Sequence, residues 1–424
     1  MLLLTGLMAL PMSSYALPDF ARKYEKNCGM CHTQVPQLNR TGYEFRLAGY
    51  RLPDEIGKEE KDSDFNLGNF FAAQVKGGYT YQKHTDATGG AANTSSSELE
   101  FEEATLYPLT GSWGRWFGSF VELSTSPDDV FEIENALVRA VYGNPSGWFE
   151  TRLGVMHPWD GFGASDRPIS ISEPLIRDER PTGSPFAPMS VDEMAWEIGY
   201  YFARAGTTVS ARIGNGILWK DDGSGEAEPA QGGELGKPST LPTRNAKSYT
   251  AVVNQFITND SGLTAYYHRT QVPAPNPFDP TPLSCTEGTP TGCTKDNIQR
   301  LGLYANYYVI PKQLNLLVGY GWGNDKIDDP SLDPSLLAIG KSQGYYAEVE
   351  YFPIEHQLAT GIRYDSFDPS DKIGHDRITQ YALFGNWSVY KGLQLIGEYR
   401  LKDTQIDAGT NRDHRFQLLF VFIM

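Results

Sequence analysis

Cys28-Gly29-Met30-Cys31-His32 sets two thiols two residues apart, with an imidazole directly after the second. Thiols at that spacing can add across the two vinyl groups of one porphyrin edge. The following histidine then lies beneath the iron as its proximal ligand. A thioredoxin-like redox pair and half of a zinc site share the cysteine spacing. Neither accounts for the histidine, and no second ligand pair lies nearby. The motif predicts one covalently bound haem c, with Cys28 and Cys31 as thioethers and His32 on the iron. One haem carries one electron, so the chemistry expected is one-electron transfer.

The second axial position has no such marker. Between Leu17 and Leu67 the only methionine is Met30 and the only histidine is His32. A segment this short is also marginal as an independent domain. Both a ligand and a protein shell must come from elsewhere in the chain.

Two further cysteines, Cys285 and Cys293, close a loop rich in Thr, Gly and Pro. In an exported protein that pair reads as a local disulfide, structural in role because it limits the loop's freedom when unfolded. Export itself is expected from the N-terminus. Leu2–Leu10 is apolar, and Ser14-Tyr15-Ala16 forms a small-x-small cleavage site, although no basic stretch precedes it. Residues 1–16 read as a signal peptide, with Leu17 as the mature N-terminus.

The chain has 424 residues, with 36 Lys+Arg against 52 Asp+Glu and a formal net charge of −16. With no basic block, nucleic acid is excluded as a partner. An aromatic content of 12 % with 43 glycines argues against disorder. After the N-terminus no apolar run is long enough for a spanning helix.

What must position the motif is instead a series of strands. From Asn69 onward apolar and polar residues alternate, as in Leu301, Leu303, Ala305 and Tyr307 against Arg300, Gly302, Tyr304 and Asn306. Sixteen such segments are predicted, at 70–83, 97–108, 115–125, 131–142, 147–156, 192–203, 206–216, 246–258, 261–271, 297–308, 313–323, 341–353, 356–367, 375–389, 392–402 and 413–424. Connections alternate between short and long, with 403–412 on the long side. An even strand number with that asymmetry marks an outer-membrane β-barrel, with short periplasmic turns and long extracellular loops. A soluble sandwich or propeller does not predict it. The expected organisation is a signal peptide at 1–16, a monohaem cytochrome c segment at 17–68 and a porin-like barrel at 69–424. A barrel of this size encloses an aqueous lumen, and the haem segment would fit in or at it.

Alternation also nominates distal ligands. Met156 faces inward with Glu150 and Arg152, His157 follows it, and His268 shares an inner face with Thr264 and Tyr266. Each has a plainer reading, as wall packing, loop start and lumen polar group respectively. Met194, in register with Trp196, Ile198 and Phe202, points to lipid. Loop 157–191 is long enough to fold inward. Asp221, Asp222, Glu226 and Glu228, and Asp325, Asp328, Asp329 and Asp333, would draw cations towards the mouth, although solvated acidic loops are the commoner case.

Phe20-Ala21-Arg22 ahead of the cysteine motif, then Pro36, Leu38-Asn39, Gly42, Phe45 and Gly49-Tyr50 after it, resemble the fused monohaem cytochrome–porins, the outer-membrane iron oxidases of iron-oxidising bacteria and their relatives. The likeness is in motifs over the first fifty residues and in architecture and length beyond them. It implies one haem held at or inside a sixteen-stranded barrel, with Cys28, Cys31 and His32 in the roles above and no matching distal ligand. It further implies extracellular Fe(II) as electron donor and a periplasmic cytochrome c as acceptor. Electron export to an external acceptor would use the same parts. A diffusion porin plugged by the haem segment is a third expectation, from a different class.

Overall fold

A computed structural model describes residues 18–59, 67–87, 93–125, 132–156, 168–184, 193–215, 219–221, 227–229, 247–276, 279–282, 294–328, 334–390 and 392–424. The alternating segments are built as β1 (Phe71–Thr85), β2 (Thr94–Pro108, continued by Gly111–Trp113), β3 (Phe117–Thr125), β4 (Glu132–Asn144), β5 (Gly147–Met156), β6 (Glu193–Phe202), β7 (Thr207–Gly214) and β8 (Ser248–Phe256). They continue as β9 (Gly262–Pro273), β10 (Lys295–Ile310), β11 (Leu314–Ile327), β12 (Lys341–Ile354), β13 (Leu358–Asp368), β14 (Ile378–Tyr390), β15 (Leu393–Ile406) and β16 (Gly409–Ile423). Neighbours pair antiparallel and β16 returns to β1, closing a barrel of sixteen strands among the described residues. Closure leaves no lateral edge whose unpaired amides would face hydrocarbon, where each costs several kcal/mol.

The two faces follow the sequence alternation. On β6, Met194, Trp196, Ile198, Tyr200 and Phe202 are exposed outward, while Glu193, Ala195, Glu197 and Tyr201 are buried inward. Exposed rings near the short turns include Phe117, Tyr142, Phe149, Phe202 and Tyr390. A second belt higher on the wall contains Tyr345, Tyr364 and Tyr381, in ring contact at 6.1 and 5.0 Å. An apolar outer band between aromatic belts is the surface of a membrane-spanning barrel.

One connection differs from expectation. Residues 403–412 are not a loop: β15 and β16 run on to a two-residue turn at Asp407-Ala408. The alternation ends there because both faces turn polar above the apolar band. Cross-strand pairs such as Arg412 to Asp403, at 2.7 Å, hold the extension instead.

Residues 18–59 seat in the barrel mouth that carries the short turns. They form α1 (Pro18–Tyr24), a 3₁₀ turn at Cys28–Met30 and α2 (Arg40–Leu47). Arg22 donates to the carbonyls of Gly68 and Phe71, and Arg40 to that of Ala203 at 2.6 Å. Arg51 donates to the carbonyls of Gly114, Arg115 and Phe117, and Trp148 Nε1 to that of Leu47 at 3.2 Å. The plug is thus tied to turns and walls around the mouth.

A second segment enters from the other end. Residues 168–184, part of the long connection after β5, fold into the lumen, where Ile169, Leu175 and Ile176 are fully buried. Arg363 on β13 holds them: its guanidinium donates to Ser170 Oγ, Ser172 O, Ser172 Oγ and Glu173 O at 2.8–2.9 Å. Ile176 settles against Gly321 and Gly344, whose missing side chains leave it room. The inward fold of this loop agrees with its length in the sequence.

Candidate functional site

The cysteine motif is shaped by the few residues that follow it. Asn39 caps α2 by accepting from Gly42 N at 3.0 Å, as an N-cap side chain should. Its amide also donates to Met30 O at 3.0 Å, and its backbone N–H to Cys31 O at 2.9 Å. One residue therefore joins the helix start to the motif. His32 Nδ1 lies 3.1 Å from Pro36 O. A carbonyl can only accept, so Nδ1 carries the proton and Nε2 is the nitrogen that would meet an iron.

Cys28 is buried and Cys31 half-buried. Burial pushes the Cys31 thiol up to about 11, so it is neutral at ordinary pH; a thioether sulfur has no such proton to lose.

Both cysteines and His32 line a lumen cavity of about 480 Å³, within the ~300–1,000 Å³ typical of cofactor sites. Its floor is the plug, its sides are β1–β5 with β15 and β16, and its roof is Pro168–Glu173 of the inward loop. One side is aromatic. Tyr50 stacks between Phe20 and Phe120, at 5.7 Å from each, and Phe45 meets Phe20 and Tyr24 edge-on at 4.9 and 5.4 Å. Such a wall excludes water from whatever sits beside it.

The other side is acidic, and backbone irregularity makes it so. Glu102 is the extra residue of a β-bulge opposite Lys76 and Gly77, and Glu134 that of a bulge opposite Glu122 and Leu123. Without these bulges strict alternation would turn one carboxylate of each region towards lipid. With them Glu102, Glu103, Glu122 and Glu134 all line the cavity, beside Lys76, which pairs with Glu103 at 2.7 Å. Among the described residues no three His, Cys, Asp or Glu side chains are grouped to hold a metal ion.

Of the distal candidates, Met156 lies at the end of β5, 1 % exposed, on the cavity wall. His268 does not reach it. Its ring on β9 stacks on Tyr266 and its Nδ1 meets Thr250 Oγ1 at 2.9 Å, away from the cavity. His157, Cys285 and Cys293 lie outside the described residues, as does the expected signal peptide. Asp325 is not displayed at the mouth: it is buried in the wall against Arg300, at 3.0 Å. The side chains of Asp221, Asp222, Glu226, Glu228, Asp329 and Asp333 are not among those described.

Alternation missed one neighbour of the motif. His356, in the turn between β12 and β13, places its ring where a Cβ on Gly29 would stand, 2.7 Å away, and its Nδ1 donates to Thr33 O at 2.9 Å. Only a glycine inside the motif hinted at so close an approach.

No family model matches the chain, and no curated protein matches it either. Solved structures do. The outer membrane channel DcaP of Acinetobacter baumannii aligns with a TM-score of 0.52 at 13% identity, covering 87% of this chain and 100% of that one. OmpT of Vibrio cholerae, an outer membrane protein in its trimer form, gives 0.51 at 9% identity over 84% and 98%. An anion-selective porin from Comamonas acidovorans gives 0.50 at 13% identity over 84% and 99%. At these identities the likeness is one of fold: this chain is built as a porin-like barrel.

Proposed function

We propose that this chain is a bacterial outer-membrane cytochrome–porin, a one-electron oxidoreductase that takes electrons from extracellular Fe(II) and passes them to a periplasmic cytochrome c. The observation that carries this reading is that Cys28, Cys31 and His32 line a cavity enclosed by plug, wall and inward loop. The residues present suit a haem c. Two thiols and an imidazole share one end of an aromatic-walled space, and Pro36 O fixes the imidazole's tautomer. A haem held there would supply the one-electron chemistry. The chain's own part is to attach it through Cys28 and Cys31, to orient His32, and to keep water off with Phe20, Phe45, Tyr50 and Phe120. The exposed apolar band supports lipid as the surrounding partner. The carboxylates on the cavity wall support a cationic donor, through their field rather than by chelation.

The test is visible spectroscopy of the purified, oxidised protein in detergent during anaerobic addition of Fe(II). Reduced c-type bands should grow, and the Cys28→Ser/Cys31→Ser variant should lack covalent haem. Haem that a strong chemical reductant reduces but Fe(II) does not would overturn the iron donor and favour electron export. The porin reading is favoured by the inward loop, an element suited to narrowing a channel. Planar-bilayer recording separates the two: a wire predicts small conductance, a diffusion porin large, solute-passing channels.

A further inference from the structure

Haem iron has a second axial position, filled in proteins by such groups as histidine, methionine, cysteine or tyrosine. The cavity wall limits the choice here. Outside the cysteine motif, the lining residues among those described include no histidine, three tyrosines and one methionine, Met156. His356 touches the motif from a separate, smaller cavity and has both ring nitrogens engaged, by Thr33 O at 2.9 Å and Glu355 at 3.0 Å. Met30, held between the two cysteines that would attach the porphyrin, would share His32's side of it and could not reach the opposite face. Tyrosine ligates iron as phenolate, but Tyr24 donates its proton to Tyr50 O and Tyr107 to Gln74 Oε1. Tyr50 is held flat between Phe20 and Phe120. Met156 has the right chemistry and a fixed place: β5 pairs on both sides up to its last residues, and Met156 belongs to the apolar cluster that contains Phe45 and Tyr50 of the plug.

We infer that Met156 of the barrel wall is the second axial ligand of the haem attached to the plug, an inference that rests on the function proposed above. The haem would then bridge two parts of the chain, and the plug segment alone would be an incomplete cytochrome. This explains why residues 17–68 carry no ligand of their own. It also makes the seating of the plug part of the redox centre, because methionine ligation raises the haem potential.

The experiment uses the full-length, haem-loaded protein in detergent. Its ferric spectrum should show the far-red charge-transfer band of thioether ligation. Met156→Leu, which conserves volume, should keep covalent haem by the pyridine haemochrome assay and keep heat-modifiable barrel mobility. It should lose that band and lower the midpoint potential. Met156→His should restore a low-spin spectrum without the thioether band. An unchanged band and potential in Met156→Leu would overturn the assignment alone. A wild-type protein with covalent haem but no thioether band would do the same. Absence of covalent haem from the wild type would overturn the functional reading and this ligand with it.

Discussion

Two glycines decide how tightly the cysteine motif can be held. A methyl on Gly42 would collide with the carbonyl oxygen of Cys31, a backbone atom fixed by Asn39 N–H. A methyl on Gly29 would press on the His356 ring, which is the end of a side chain and can give. The two substitutions should therefore differ. Gly42→Ala should cost at least ~1–3 kcal/mol of plug seating, the usual range for overpacking, and remove most covalent haem from a barrel that still folds; a haem stain against heat-modifiable mobility reads both. Gly29→Ala should lower haem yield less, and adding His356→Ala should restore it. Failure of that rescue would mean the contact does not govern the motif. Asn39→Ala removes a helix cap and the tie to Met30, so a loss of about 1 kcal/mol is expected, read as a lower denaturant midpoint for release of the plug. Gly42 and Asn39 stand among the residues on which the family resemblance rests. In the sequence they were only matching letters; their physical role needed the contact with Cys31 and Met30.

Strands, plug and inward loop were not equally readable. Period-two alternation is a local signal, so the sixteen strands emerged close to their observed ends, and β5 was found residue for residue. The same rule placed Met156 inward and Met194 outward, where the structure has them. It failed where a strand breaks its own period: the bulges at Glu102 and Glu134 shift the register by one residue and leave no trace in composition. Alternation carries no information on which distant elements meet: His268 faces inward yet does not line the cavity, and His356, in a turn, meets the motif. The inward loop has one signal in the sequence, glycines at inner-face positions of neighbouring strands, Gly321 on β11 and Gly344 on β12, which clear space for Ile176. Its anchor is Arg363, buried with Asp365 at 2.9 Å and Glu348 at 3.4 Å. Arg363→Met would strand two carboxylates and release four hydrogen bonds to the loop. The expected cost is about 3–5 kcal/mol, as for breaking one partner of a buried ion pair, measured as a lower guanidinium midpoint. A larger single-channel conductance should accompany it if the loop is what narrows the lumen.

The molecule as a whole is an acidic body, with a formal net charge of −16, pierced by a cavity whose carboxylates gather on the side of β1–β4. Low-dielectric walls focus such a field, so a cation reaching the lumen should meet an attractive potential and an anion a repulsive one. No chelating site is required for that effect, only like charges close together and poorly screened. The Glu102→Gln/Glu134→Gln variant removes both bulge carboxylates and leaves Glu103 and Glu122, without touching the aromatic side or the cysteine motif. Stopped-flow reduction should then show a several-fold slower reaction with aqueous Fe(II) at low salt and an equal or faster one with an anionic reductant. Raising ionic strength should erase most of the difference, because screening lengths fall from ~30 Å at 0.01 M to ~10 Å at 0.1 M. The haem spectrum should not change. Equal slowing for both reductants would assign the glutamates to wall structure instead, and no effect on either would place the point of electron entry elsewhere on the barrel.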